Sequence, residues 1–153
     1  MNLDFDAGRE DRMTFVRPFQ LSDYASLTNL LANVLSEVCY EETITAFARQ
    51  LSLDSDLVLV AVDNQQTVGV IIGTIHNNEG YYYRIAVDRA HQRKGIGKLL
   101  IQGLKQRFEQ RSVSRVLISV DMHNEPLLPL YESLGYKSRD FMRSVEQLRI
   151  VNG

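Results

Sequence analysis

Tyr81-Tyr82-Tyr83-Arg84-Ile85-Ala86-Val87-Asp88-Arg89-Ala90-His91-Gln92-Arg93-Lys94-Gly95-Ile96-Gly97-Lys98-Leu99-Leu100 is the stretch on which the fold turns. Tyr81 to Val87 is rich in aromatic and β-branched residues and reads as a strand. A polar connection, Asp88 to Lys94, separates it from a helix running from Gly95 to about Arg111. That helix sets Ile96, Leu99, Leu100, Leu104 and Phe108 on one face, with Lys105, Arg107 and Arg111 near the end where cations are favoured. Gly95 and Gly97 remove side chains where a ligand would approach backbone, and the first helical turn offers unpaired N–H groups and a positive dipole end. An anion such as a pyrophosphate suits that entrance, with Arg93, Lys94 or Lys98 beside it.

Spacing separates this loop from two other phosphate-binding loops. A P-loop needs Ser or Thr after Gly-Lys, yet Leu99 follows Gly97-Lys98 and Gln92 stands where the first glycine belongs. A dinucleotide fingerprint needs a third glycine where Leu100 stands and a turn directly after the strand, whereas Val87 precedes Gly95 by eight residues.

Gln92, Gly95 and Gly97 instead match the acyl-coenzyme A signature of the GNAT N-acetyltransferases: Gln or Arg, two residues, Gly, one residue, Gly or Ala. The chain resembles that family in order and spacing from Tyr83 through the glycine loop to Asn124 and on to Leu130-Tyr131-Glu132-Ser133-Leu134-Gly135-Tyr136. The resemblance implies an α/β (α+β) fold, with a mixed, mostly antiparallel sheet holding one parallel, splayed strand pair and flanked by helices. It also implies acetyl-CoA as co-substrate and direct transfer of the acetyl group to a primary amine, on a small molecule or a peptide, in a ternary complex.

Carried over residue by residue, the resemblance lays the pantetheine arm along Ile85, Ala86 and Val87. A backbone amide near Val87 then faces the thioester carbonyl. The diphosphate falls to Gln92, Arg93, Lys94, Gly95, Ile96, Gly97 and Lys98. Asn124 matches the asparagine that binds the arm, and before Glu125-Pro126 it also suits a helix N-cap. Tyr131 matches the tyrosine that returns a proton to the thiolate; otherwise it is an interface aromatic. A phenol of reference pKa about 10 stays protonated at neutral pH, beside a thiol of about 8.5.

The base is where the match departs from the family. Relatives acting on protein N-termini carry a glutamate five positions before the asparagine, where this chain has Ser119. Asp121 and Glu79 are the carboxylate candidates, acting directly or through water, and each also reads as an exposed loop carboxylate. The missing glutamate keeps a second function open, a noncatalytic acyl-CoA-binding or regulatory module.

Outward from this core, Val116 to Val120 reads as a strand parallel to the fourth, because a helical crossover joins them. A short helix, Pro126 to Leu134, ends at Gly135, and two last strands are expected at Tyr136 to Phe141 and Val145 to Ile150. Upstream, Leu57 to Val62, a turn at Asp63-Asn64-Gln65-Gln66, Thr67 to Ile75 and a turn at Asn77-Asn78-Glu79-Gly80 read as consecutive hairpins. Before them come two helices: one with Leu27, Leu30, Leu31, Val34, Leu35 and Val38, and a second capped by Thr43. Ser22 is the expected N-cap of the first. Met13 to Arg17 is a first strand, residues 1–12 form a flexible arm, and residues 13–153 form one domain.

With 17 basic against 19 acidic residues the net charge is −2, which gives no field to gather nucleic acid or anionic lipid. No apolar run is long enough to span a bilayer and the charged start is unlike a signal peptide, so a cytoplasmic location is expected. Cys39, the only cysteine, reads as a buried structural thiol, and His76, His91 and His123 lack metal-site spacing. The expected partners are acetyl-CoA and an amine, with no nucleic acid or membrane, in a monomer or homodimer.

Overall fold

In the computed structural model, residues 14–143 and Ile150 are described. Six strands form one sheet in the order β1-β2-β3-β4-β5-β6: Thr14–Pro18, Val58–Asp63, Gln66–His76, Glu79–Val87, Arg115–Ser119 and Phe141–Met142. Neighbours from β1 to β4 are antiparallel, while β4–β5 and the short β5–β6 contact are parallel. Among residues 14–143, α-helices flanking the sheet are α1 Tyr24–Val34, α2 Glu37–Asp54, α3 Ile96–Gln110 and α4 Leu128–Ser133.

Period-two alternation along the strands decides which helix covers which face. Val58, Val60, Val70, Ile72, Tyr81 and Tyr83 pack with Leu27, Leu31 and Phe47 of α1 and α2. Leu57, Leu59, Ala61, Ile71 and Tyr82 pack with Ile96, Leu100, Leu104 and Phe108 of α3. The three tyrosines therefore divide between the two cores. Tyr82 meets the Phe108 and Tyr136 rings at 5.6 Å each, and its hydroxyl is 2.6 Å from that of Tyr136.

The two hairpin turns are tighter than expected. Asn64 and Gln65 (φ 51° and 69°), and Asn77 and Asn78 (φ 52° and 63°), each form a two-residue loop in the left-handed region, whose twist matches that of the flanking strands. The strands accordingly extend to Asp63 and Gln66, and to His76 and Glu79.

Helix starts differ most from the sequence reading. Ser22 does not cap α1. It lies in a 3-10 turn, Leu21–Asp23, whose Asp23 carboxylate accepts from the Gln20 N–H at 2.8 Å and pairs with Arg17 at 2.7 Å. Thr43 does not cap the second helix. That role belongs to Ser36, whose hydroxyl accepts from the Cys39 N–H at 3.2 Å, which leaves Thr43 buried mid-helix. Val38 therefore sits on α2 and is exposed, while Cys39, also on α2, is a buried free thiol.

At the C-terminal side, Ser138–Asp140 is a 3-10 turn and only Phe141–Met142 is strand, so the expected strand from Tyr136 shrinks to its end. The expected strand at Val145 to Ile150 lies outside the described residues except for Ile150, which is helical and buried. The expected arm, residues 1–12, and Met13 also lie outside them. Among the described residues no helix is long and apolar enough to cross a membrane.

Candidate active site

The site begins with a fork in the sheet. β5 pairs with β4 from Glu79↔Arg115 to Tyr82↔Ile118 and no further, although β4 runs on to Val87. Where the pairing stops, β4 bulges: Gly73 faces Tyr82 and Ile72 faces Arg84, so Tyr83 has no partner on β3. A bulge bends its strand and turns it from a neighbour. It also sends two consecutive side chains, Tyr83 and Arg84, to the α2 side.

Beyond the bulge, no strand among the described residues pairs with one edge of β4. The Asp88 N–H points to β3, donating to the Val68 carbonyl at 2.8 Å. The Val87 carbonyl points the other way and accepts from Gln92 Nε2 at 3.0 Å. By strand alternation, the backbone groups of Ile85 and Val87 face the open side of the fork.

A cavity of about 640 Å³ occupies that opening. It brings together Ile85, Ala86, Val87, Gln92, Arg93, Gly95, Ile96, Gly97, Lys98 and Asn124 from the expected binding set, but neither Lys94 nor Tyr131. It also takes in residues outside the expected binding set, among them Val34 and Leu35 at the end of α1, Arg84, His91, His123 and Leu130. The first helical hydrogen bond of α3 runs from the Leu99 N–H to the Gly95 carbonyl. The N–H groups of Ile96, Gly97 and Lys98 thus precede the helical ladder at the mouth of the cavity.

The two glycines do different work. Gly95 adopts φ +81° with open space where a Cβ would stand, so its requirement is conformational. A Cβ on Gly97 would lie 3.1 Å from Leu130 Cδ2, so that glycine lets α3 and α4 approach. His91 anchors the loop: its Nδ1 is 2.8 Å from Asp88 Oδ2 and its Nε2 is 3.5 Å from Asp63 Oδ2, next to the β2–β3 turn.

Asn124 is a brace of the fork. Its Nδ2 donates to the Ser119 carbonyl at 2.6 Å and to the Tyr83 carbonyl at 3.4 Å, while Oδ1 accepts from the Asp121 N–H at 2.9 Å. The side chain thus spans the diverging strands and does not cap the following turn.

Neither carboxylate proposed as a base fits that role. Glu79 stands at the far end of β4, bound by the Tyr81 hydroxyl and Arg115, whose hydrogen bond holds its carboxyl below the usual range against a smaller opposing push from burial. Asp121 is at the fork but engaged. Arg84 donates to both its oxygens, at 3.2 and 3.0 Å, and the N–H groups of His123 and Asn124 donate to Oδ1 at 2.9 and 3.1 Å. Burial pushes the Asp121 carboxyl up, but Arg84 and these amides outweigh it and keep the group below its ordinary value. The Arg84 guanidinium, 2% exposed, also donates to Thr43 Oγ1 at 2.9 Å and stacks 4.7 Å from the Tyr83 ring centre.

Tyr131 lies beside the fork, not in the cavity lining, with its ring centre 5.5 Å from that of Tyr82. Burial first, and Tyr136 second, push its phenol above the ordinary value, while Arg84 is near enough to pull the other way. Among the described residues no hydrogen bond engages its hydroxyl.

A model of the acetyltransferase (GNAT) family matches residues 24–136. The chain is 30% identical over 92 residues to an acetyltransferase of Pectobacterium atrosepticum, a match covering 60% of this chain and 65% of that relative. It is 26% identical over 125 residues to an acetyltransferase of Yersinia pestis, covering 82% and 89%. Its fold resembles the PaiA N-acetyltransferase of Thermoplasma acidophilum in complex with coenzyme A, with a TM-score of 0.65 at 19% identity over 81% of this chain and 89% of that one.

Proposed function

Because the chain belongs to the acetyltransferase (GNAT) family, we propose that it transfers the acetyl group of acetyl-CoA to a primary amine, with both substrates bound together at the fork. The observation that carries this reading is the bare edge of β4, at Ile85 and Val87, opening into the same cavity as the N-terminus of α3. An extended amide-bearing arm can add to that edge as a strand does. The unpaired N–H groups of Ile96, Gly97 and Lys98 then receive the diphosphate, with Arg93 and Lys98 supplying charge. Each such contact is worth about 0.3 to 2 kcal/mol, so several must act together.

The Val87 N–H faces the thioester carbonyl, where a fixed donor favours the developing oxyanion over the ground state. Tyr131, protonated and otherwise unengaged, gives its proton to the departing thiolate. Burial that raises the phenol also raises a thiol formed beside it, since neither anion is solvated there. The pairing therefore keeps its sense in a dry site.

The test is a thiol-release screen with acetyl-CoA across polyamines, amino acids, aminoglycosides and short peptides, run beside thermal unfolding with and without CoA. Ligand at a hundredfold over Kd adds about 2.7 kcal/mol of stability, a rise in Tm of about 5 to 10 °C. We expect that rise together with thiol release for one amine class. Stabilisation by CoA without release for any amine would favour a noncatalytic acyl-CoA-binding module. Greater stabilisation by ATP or NAD than by CoA would contradict both.

A further inference from the structure

A primary amine is mostly protonated at neutral pH, with a reference pKa of about 8 for an α-amino group and about 10.4 for an alkylamine, so acetyl transfer has to begin by removing a proton. Asp121 is committed to Arg84, Glu79 stands at the other end of β4, and Ser119 offers only a buried hydroxyl. Of the two histidines lining the cavity, His91 belongs to the glycine-loop end and is held between Asp88 and Asp63. His123 belongs to the fork end, with Arg84, Ile85 and Asn124.

Its setting is that of an oriented imidazole. The backbone N–H of His123 donates to Asp121 Oδ1 at 2.9 Å, which ties its main chain to the Arg84 cluster. Across the gap, Nε2 lies 3.6 Å from Glu42 Oε1 on α2. At that distance the Glu42 carboxylate is beyond direct hydrogen-bond reach but close enough to favour a proton arriving on the ring. The charged groups on the elements packed around it are Glu42 on α2, Asp121 in its own turn, and Arg84 on β4, itself paired with Asp121.

We propose that His123 is the proton acceptor for the incoming amine, with Glu42 as its positioning residue. The inference rests on the acetyl-transfer reading above. The ammonium gives one proton to the His123 imidazole, directly or through one water, and the free amine attacks the thioester carbon. The C–N bond forms, the C–S bond breaks, and the thiolate takes its proton from Tyr131. The amide nitrogen's surplus proton restores the phenol through water and the imidazolium returns its own to solvent. The net reaction is acetyl-CoA plus ammonium to acetamide, CoA thiol and one released proton.

The experiment is the pH profile of kcat/KM for thiol release in the wild-type enzyme, His123→Gln and Glu42→Gln, with thermal stabilisation by CoA as the check on folding and cofactor binding. The wild-type profile is expected to rise with pH as the proton acceptor is freed of its own proton. His123→Gln should lose that rise and about a hundredfold in kcat, with CoA stabilisation unchanged. Glu42→Gln should lose about tenfold in kcat. Free imidazole should restore part of the activity of His123→Ala, a readout that a purely structural histidine would not move. A His123→Gln enzyme keeping wild-type rate and profile would overturn the proposal while leaving acetyl transfer intact. A wild-type protein that binds CoA and releases no thiol with any amine would remove acetyl transfer, and His123's role with it.

Discussion

Tyr131→Phe is expected to lower kcat by about 100- to 1,000-fold while changing CoA affinity by less than about twofold. The substitution removes one oxygen from a ring packed against Tyr82, so the aromatic cluster and the fold persist. What disappears is a proton donor that no other described residue engages. A group used only as the thiolate departs contributes to the transition state and not to ground-state binding, so the loss belongs in kcat. Steady-state thiol release with a fixed amine, beside CoA binding by calorimetry, decides it. An unchanged kcat, or equal losses in rate and affinity, would reduce Tyr131 to packing.

The second large effect concerns stability. Asp121→Asn is expected to cost about 3 to 5 kcal/mol, because it leaves the buried Arg84 guanidinium facing an amide in place of a carboxylate. It should also lower activity, since Asp121 accepts from the backbone of both His123 and Asn124. The pH dependence has a definite sign. The Asp121 carboxyl is held below its ordinary value in the folded chain, with Arg84 and the amides outweighing the upward push of burial. Its contribution is therefore complete above the unfolded value, about 3.9, and is lost as pH falls through the lower folded one. Urea unfolding of the wild type should weaken below about pH 4 more steeply than that of Asp121→Asn. Equal stabilities at neutral pH, or parallel acid limbs, would contradict this account of the pair.

How much of this was legible in the sequence depended on the reach of each signal. Unbroken apolar, β-branched and aromatic runs between turn signals identified β2, β3 and β4, and the apolar row from Ile96 to Phe108 identified α3, because both are local patterns. The α1–α2 boundary was not legible. Leu35-Ser36 breaks the helix without Gly or Pro, and apolar spacing continues across it to Val38. The glycine loop was legible from its spacing, although Gly97 makes room for Leu130 as well as for any ligand. The fork's cause lay out of reach, since a bulge at Tyr83 depends on the register against β3. The ion pairs that reassign the carboxylates join Arg84 to Asp121 and Glu79 to Arg115, partners 37 and 36 residues apart. The one available sign was an arginine in the middle of an apolar strand, which demands a buried counter-charge.

The central claim, that the bare edge of β4 and the entrance of α3 hold CoA together, is most directly tested by amide hydrogen exchange with and without saturating CoA. Protection is expected at Ile85 and Val87 and at Ile96, Gly97 and Lys98, with little change at β1 or α2. Protection confined to other segments, or none at saturation, would contradict the account.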